Sequence, residues 1–207
     1  MFGTIEEFAP DGMEAGVGLI LQDLADRYLF FLAGTRHQRQ CPPGELFYAG
    51  IGGHREPGED WLTCARREVQ EEIGAEVSIL SSLITWHVPP SGPVQLLELA
   101  EQPRPLALCE MIHPSGTPRE GSLYRIVIYR GRLHGKPSTL QLDEVRAVIA
   151  LTADQVIRGL DSKPSVKELL QNGACVVAGD EHINPETRLY PIGTAAALAR
   201  ILLRLRS

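Results

Sequence analysis

The sequence predicts an α/β domain layered around a mixed β-sheet, and three observations carry that expectation. Short apolar runs bounded by turn residues recur through the first 151 residues. One segment among them has the three-and-four apolar spacing of an amphipathic helix. Strands and helices mix without regular alternation. With 207 residues and 43% hydrophobic content, the chain can bury a full core and sits at the upper edge of one ordinary domain. It is read as one domain, 1–207, with a core over about 15–151 and a helical appendage over 152–207.

Residues 15–21 and 27–34 are apolar and are separated by the polar Gln22-Asp23, which predicts a hairpin. A strand over 46–49 leads into Gly50-Ile51-Gly52-Gly53, where an irregular backbone can approach a ligand closely. Over 61–73, Leu62, Ala65, Val69 and Ile73 fall on one stripe. Asp60 is placed to cap that helix, and Gly74 to end it in a left-handed conformation. A strand over 76–87 is broken by Pro89-Pro90-Ser91-Gly92-Pro93. Strands follow over 106–112 and 123–132, joined by a loop over 113–121, and 146–151 is expected to be the last strand. Helices are expected over 153–158, 165–171 and 193–205, the last with Ala197, Ile201 and Leu205 at spacing four. No internal repeat or low-complexity tract is present.

Composition narrows the function. Twenty basic and 26 acidic residues give a net charge of −6 and a pI near 5.5, which excludes the basic footprint of a nucleic-acid scaffold. Cys41, Cys64, Cys109 and Cys175 form no Cys-x-x-Cys pair and stand at no zinc spacing from histidine, so they read as reduced packing thiols. The amino terminus is acidic where a signal peptide is basic, and no apolar run approaches the ~18 residues of a membrane span. The expected compartment is the cytoplasm, with no membrane partner.

The chemistry concentrates on the helix over 61–73. At 100° per residue from Leu62, the apolar stripe centres near 340°, with Glu68, Glu72 and Glu71 at about 240°, 280° and 180°. Glu68 and Glu72 therefore border the buried face. Three carboxylates so close repel one another, and burial worsens the repulsion. A hard cation removes that penalty, and magnesium suits the site because it takes oxygen ligands, keeps several waters and is completed by substrate phosphates. Gly52 or Gly53 can aim a backbone carbonyl at the same cation. Glu56 and Glu59 lie in the loop, Glu59 beside the positive end of the helix dipole. Arg67 can orient a glutamate by a charge-assisted hydrogen bond.

Gly53, Glu59, Arg67, Glu68, Glu71, Glu72 and Gly74 resemble the Nudix box at all seven of its fixed positions. At average residue usage a chance match in a chain this long is on the order of one in a million. Ala75 and Ile51 depart from the preferred box residues, and neither removes a charge. The resemblance implies an α/β/α sandwich with a mixed, curved β-sheet, here with extra C-terminal helices. It also implies hydrolysis of a diphosphate linkage with Mg2+, for which Mn2+ can substitute. Glu68 and Glu72 would be direct metal ligands, Glu71 a further ligand or one acting through water, and Arg67 an orienting residue. The family often takes another acid from a later loop, for which Asp143 and Glu144 are the first candidates and Glu120 the second. Glu71 and Glu144 both remain open as general base.

Arg36, Arg39, Arg55 and His54 are candidate phosphate contacts, and Phe47, Tyr48, Trp86 and Tyr124 are core aromatics in the simpler reading. The implied substrate is a small nucleoside diphosphate linked to another group. Pro89 and Pro90 resemble a proline of ADP-ribose-cleaving members, and Thr35-Arg36 more faintly resembles a coenzyme A motif. A ligand-sensing module without turnover is the alternative, and an isomerase using Cys64 a third. The apolar stripe of the last helix must be covered, either by its own domain or, since the family often dimerises, by a partner subunit in a homodimer.

Overall fold

The run Ala15-Gly16-Val17-Gly18-Leu19-Ile20-Leu21 is buried at every position, as a strand covered on both faces must be. In the computed structural model, which describes residues 2–113, 119–180 and 182–206, this strand is β1 (Ala15–Gln22), preceded by a one-turn helix α1 (Ile5–Phe8). It pairs antiparallel with β2 (Tyr28–Ala33) only at its far end, Leu21 with Leu29 and Gln22 with Tyr28. Its other edge pairs in parallel with β8 (Leu123–His134) from Ala15 to Leu21. Where β1 and β2 part, the chain that follows β3 (Glu45–Ala49) fills the gap. Leu19 N–H donates to the Ile51 carbonyl at 2.8 Å, and Val17 N–H to the Gly53 carbonyl at 2.9 Å. This wedge seats the glycine loop on the central strand.

After β2 comes a short α2 (Thr35–Gln38), and after the glycine loop the 13-residue α3 (Trp61–Ile73). The strand expected over 76–87 is in fact two. β4 (Glu76–Leu80) pairs with β8, whereas β5 (Thr85–Val88) pairs with β6 (Gln95–Leu97) and β7 (Ala107–Ile112). The apolar residues between, Leu83 and Ile84, are exposed, and the chain changes partner there. The loop expected over 113–121 lies partly outside the described residues.

A second correction concerns the end of the chain. β9 (Val145–Leu151) is not the last strand. The helices expected after it are present as α4 (Ala153–Arg158), α5 (Val166–Gln171) and α6 (Gly193–Arg206). Between α5 and α6, however, β10 (Cys175–Gly179) pairs antiparallel with β9, and β11 (Arg188–Pro191) runs parallel to β3. The carboxyl segment is therefore not purely helical. It widens the sheet, whose main path is β10-β9-β2-β1-β8-β7-β5-β6, with β3 and β11 beside β2 and β4 beside β8.

Strand registry defines the layers. Gly18 pairs with Ile128, and Leu19 with Tyr129. Paired residues share a face and successive residues alternate. Thr194 of α6 lies against Gly18 and Gly50, and Gly193 lies near Ile126, so α6 covers one face. Tyr129, on the other face, feels the charge of Asp60 at the start of α3. The result is the expected α/β/α sandwich. Among the described residues no helix is long and apolar enough to cross a membrane.

Candidate active site

Both ends of α3 are built as the sequence requires. The Asp60 carboxylate accepts from the N–H groups of Leu62 at 2.9 Å and Thr63 at 3.0 Å. Gly74 takes φ 57° and ψ 42°, a left-handed conformation that costs glycine little. Cys64, Ala65, Val69 and Ile73 are buried, and Leu62 only partly. Glu68 and Glu72, expected at the border of the apolar stripe, are buried outright at 7% and 3% exposure, while the Glu71 side chain stays 53% exposed.

The glycine loop closes over these two acids. Gly52 adopts φ 147°, a backbone region that side chains rarely allow. Its N–H points at Glu72 Oε2 across a long 3.4 Å. A Cβ on Gly53 would stand 2.6 Å from the Glu68 carboxyl group. The Ile51 and Gly53 carbonyls accept from β1, whereas the Gly52 carbonyl accepts from no backbone N–H among the described residues. Gly53→Ala is therefore expected to displace Glu68 and lower turnover at least about tenfold, with a smaller loss in melting temperature. Steady-state kinetics at wild-type level would remove Gly53 from the site.

Arg67 organises the acids from the solvent side. It donates to Glu59 through Nε at 2.9 Å and Nη2 at 3.0 Å, to Glu68 Oε1 at 2.7 Å, to Glu71 Oε2 at 3.0 Å and to the His54 carbonyl at 3.0 Å. This pairing holds the Glu59 carboxyl below the usual carboxylate range. Glu68 has the same partner, yet its pKa is raised, because burial outweighs the Arg67 charge. Burial also drives Glu72 well above the ordinary range, helped by the Glu68 charge, with only the Gly52 N–H opposing it. Cys64 is fully buried, and burial pushes its thiol up to about 12, which disfavours the thiolate.

Glu144 joins the cluster from β9's leading loop. Gln141 N–H donates to the Glu72 carbonyl, and Ser138 N–H to that of Ile73, each at 3.1 Å, which ties this loop to the end of α3. The Glu144 charge is felt by both Glu68 and Glu72. Arg36 Nη1 holds Glu144 Oε1 at 2.6 Å, and Arg36 N–H donates to the Asp143 carbonyl. Arg36 thus reaches the acids through Glu144.

Of the other candidates, Arg55 points away from the acids, whereas His54 stays beside them, its ring within reach of the Glu68 charge. Arg55 pairs with Asp11 at 2.6 Å and stacks over Trp61, its guanidinium carbon 4.4 Å from the ring centre. With Glu56, Glu14 and Arg119 it lines a separate cleft of about 430 Å3. The His54 ring meets Glu14 at 3.0 Å and packs 4.9 Å from the Tyr124 ring. Glu120 and Arg39 are both exposed. The four aromatics are buried, as the simpler reading expects. Sequence reasoning missed Glu14, which partners His54, and Tyr124 as a neighbour of Glu68. No local motif marks either.

The donor set fits a hard divalent cation: two buried carboxylates share one long N–H bond and one arginine, beside a free backbone carbonyl. Among the described residues no three His, Cys, Asp or Glu side chains stand together as a finished cage, and Glu71 is drawn toward Arg67. Magnesium needs no such cage, since one or two carboxylates and waters suffice.

The fold is an α/β sandwich with an acid-bearing helix beneath a glycine loop, and the family follows from sequence. The family model described as NUDIX domain matches residues 13–172, and the chain belongs to that family. Among solved structures it is similar to the E. coli ORF135 protein, at 13% identity and TM-score 0.49 over 94% of this chain and 91% of that one. A NUDIX hydrolase from Nitrosomonas europaea is 17% identical, with TM-score 0.44 over 69% and 74% of the two chains. A C. elegans Ap4A hydrolase is 19% identical, with TM-score 0.42 over 72% and 87%. No curated protein sequence matches the chain.

Proposed function

We propose that this Nudix-family chain is a cytoplasmic, magnesium-dependent hydrolase that cleaves a diphosphate linkage in a nucleoside diphosphate joined to a second group. The observation that carries the reading is the burial of Glu68 and Glu72 side by side under the glycine loop, with too few donors to satisfy two negative charges. Two such acids are costly in the metal-free protein and favourable around a cation.

Glu68 and Glu72 would hold the ion with the Gly52 carbonyl, and Glu71 would stand at its outer side. When bound, the cation polarises phosphate oxygens and lowers the pKa of the attacking water. Arg67 keeps Glu68 and Glu71 oriented. Between the two candidate bases the geometry favours Glu144, because Glu71 is engaged by Arg67 while Glu144 is held at the edge of the cluster by Arg36. ADP-ribose heads the substrate candidates through Pro89 and Pro90, and coenzyme A follows through Thr35-Arg36.

Hydrolysis of a panel of nucleotide sugars, dinucleotides, coenzyme A and nucleoside triphosphates is expected to stop in chelator and return with Mg2+ or Mn2+. Full turnover in chelator, with elemental analysis finding no metal, would overturn the reading. A ligand-sensing module is the alternative, and binding of a panel member without any turnover would favour it.

A further inference from the structure

At the end of β3 away from the glycine loop, the α4–α5 connection and β11 enclose a pocket of about 300 Å3. Three cations line it, Arg158, Lys163 and Arg188, in a chain whose net charge is −6. Glu168 is the acid in its lining; it accepts the Ser165 N–H at 2.6 Å to close the capping box of α5, and its charge faces that of Arg188. Lys163 pairs with Glu45 at 2.6 Å and lies 4.9 Å from the centre of the Tyr190 ring. Arg188 Nη1 donates to the Lys163 carbonyl at 3.0 Å. Arg158 has no ion-pair partner among the described residues.

The frame of this pocket is rigid. Leu189 N–H donates to the Pro164 carbonyl and Val166 N–H to that of Thr187, each at 2.9 Å. Gln155 Nε2 donates to the carbonyls of Leu169 at 2.8 Å and Asn172 at 3.2 Å, fixing the floor. The backbone that carries the cations is thus preset, and only their side chains remain to be ordered by a ligand. Guanidinium groups offer the paired donors that a tetrahedral oxyanion accepts.

We infer that this pocket is a second anion site, in which Arg158, Arg188 and Lys163 bind a phosphate-type group. Tyr190, beside Lys163, packs 6.4 Å from Phe47 of the core. The anion is either a distal group of the substrate or a free phosphate, and the chemistry recognised is the same. The source rests on the proposed activity; the site itself does not.

The first arm of the test is calorimetric titration of the full, metal-free chain with inorganic phosphate and with pyrophosphate. Saturable binding is expected. Arg158→Gln and Arg188→Gln are each expected to weaken it about tenfold, and Lys136→Gln, outside the pocket, to leave it unchanged. Arg158 is exposed and makes no ion pair among the described residues, so Arg158→Gln tests the site even if Arg188→Gln misfolds. No saturable binding by the wild type, or an equal loss in Lys136→Gln, overturns the site. The second arm compares KM in Arg158→Gln for panel substrates with and without a second anionic group. A rise confined to the former supports the site as a substrate subsite, and lost phosphate affinity with unchanged KM supports it as a site for a separate phosphate.

Discussion

Glu72→Gln is expected to lower turnover about a thousandfold while raising the melting temperature of the metal-free protein. The two effects have one cause. Glu72 is 3% exposed, beside the Glu68 charge and opposite a single long N–H bond. Its carboxylate is costly to bury and its neutral form much less so, which is why its pKa is raised. The linkage has a definite sign. A carboxyl whose folded pKa lies above the unfolded value contributes stability below the unfolded pKa, and that contribution is lost as pH rises through the folded pKa. Metal-free wild type should therefore lose melting temperature as pH rises from the ordinary glutamate range toward neutrality. The glutamine variant keeps the shape of the side chain without the charge, so it should lose less. Added magnesium should reverse the order, stabilising the wild type by mass action and the variant little. Thermal melts of both proteins from pH 4 to 8, with chelator and with magnesium, check this. Parallel pH profiles without metal, or near wild-type turnover by the variant, would mean that Glu72 is no ligand.

How much of this was legible in the sequence depends on the range of the interactions. α3 could be read completely, because its stripe, its Asp60 cap and its Gly74 terminus all act within a few residues. The closeness of Glu72 to the apolar stripe could be read as well, though not its nearly complete burial, which the glycine loop imposes from above. Glu144 could be named as an acid at a strand start, but the arginine that holds it is 108 residues away. Arg55 could be named beside His54, but the acid that draws it away, Asp11, is 44 residues distant. β10 and β11 escaped because strands of five and four residues carry little periodic signal. Their stability comes from pairing with β9 and β3 rather than from local propensity. Leu205 fits the stripe of α6 by spacing, yet it is 61% exposed because it lies in the last turn, beyond the helix's buried residues.

Truncation after Pro191 is expected to give an aggregated or unstable chain. The sequence leaves open whether the apolar stripe of the last helix meets its own domain or a partner subunit. In the structure α6 buries Ala195, Ala197, Leu198, Ala199 and Ile201 against its own chain, chiefly β1, β3, β5, β7, β8 and α4. Its first turn is fitted closely, since Thr194 occupies the space that side chains at Gly18 and Gly50 would need. Its middle holds a remote loop, with Arg200 donating to the Pro89 carbonyl at 2.5 Å and to that of Gly92 at 2.7 Å. Removing α6 would thus uncover one face of the central strands, an apolar area no folded monomer leaves open to water. A graded version of the same test is Ile201→Ala, which leaves a cavity at a 2% exposed site and should cost about 2–4 kcal/mol. Chemical denaturation of that variant and light scattering of the truncated chain decide the matter. A soluble, monodisperse truncation product with an unchanged melting temperature would show that the sheet face is protected by something other than α6.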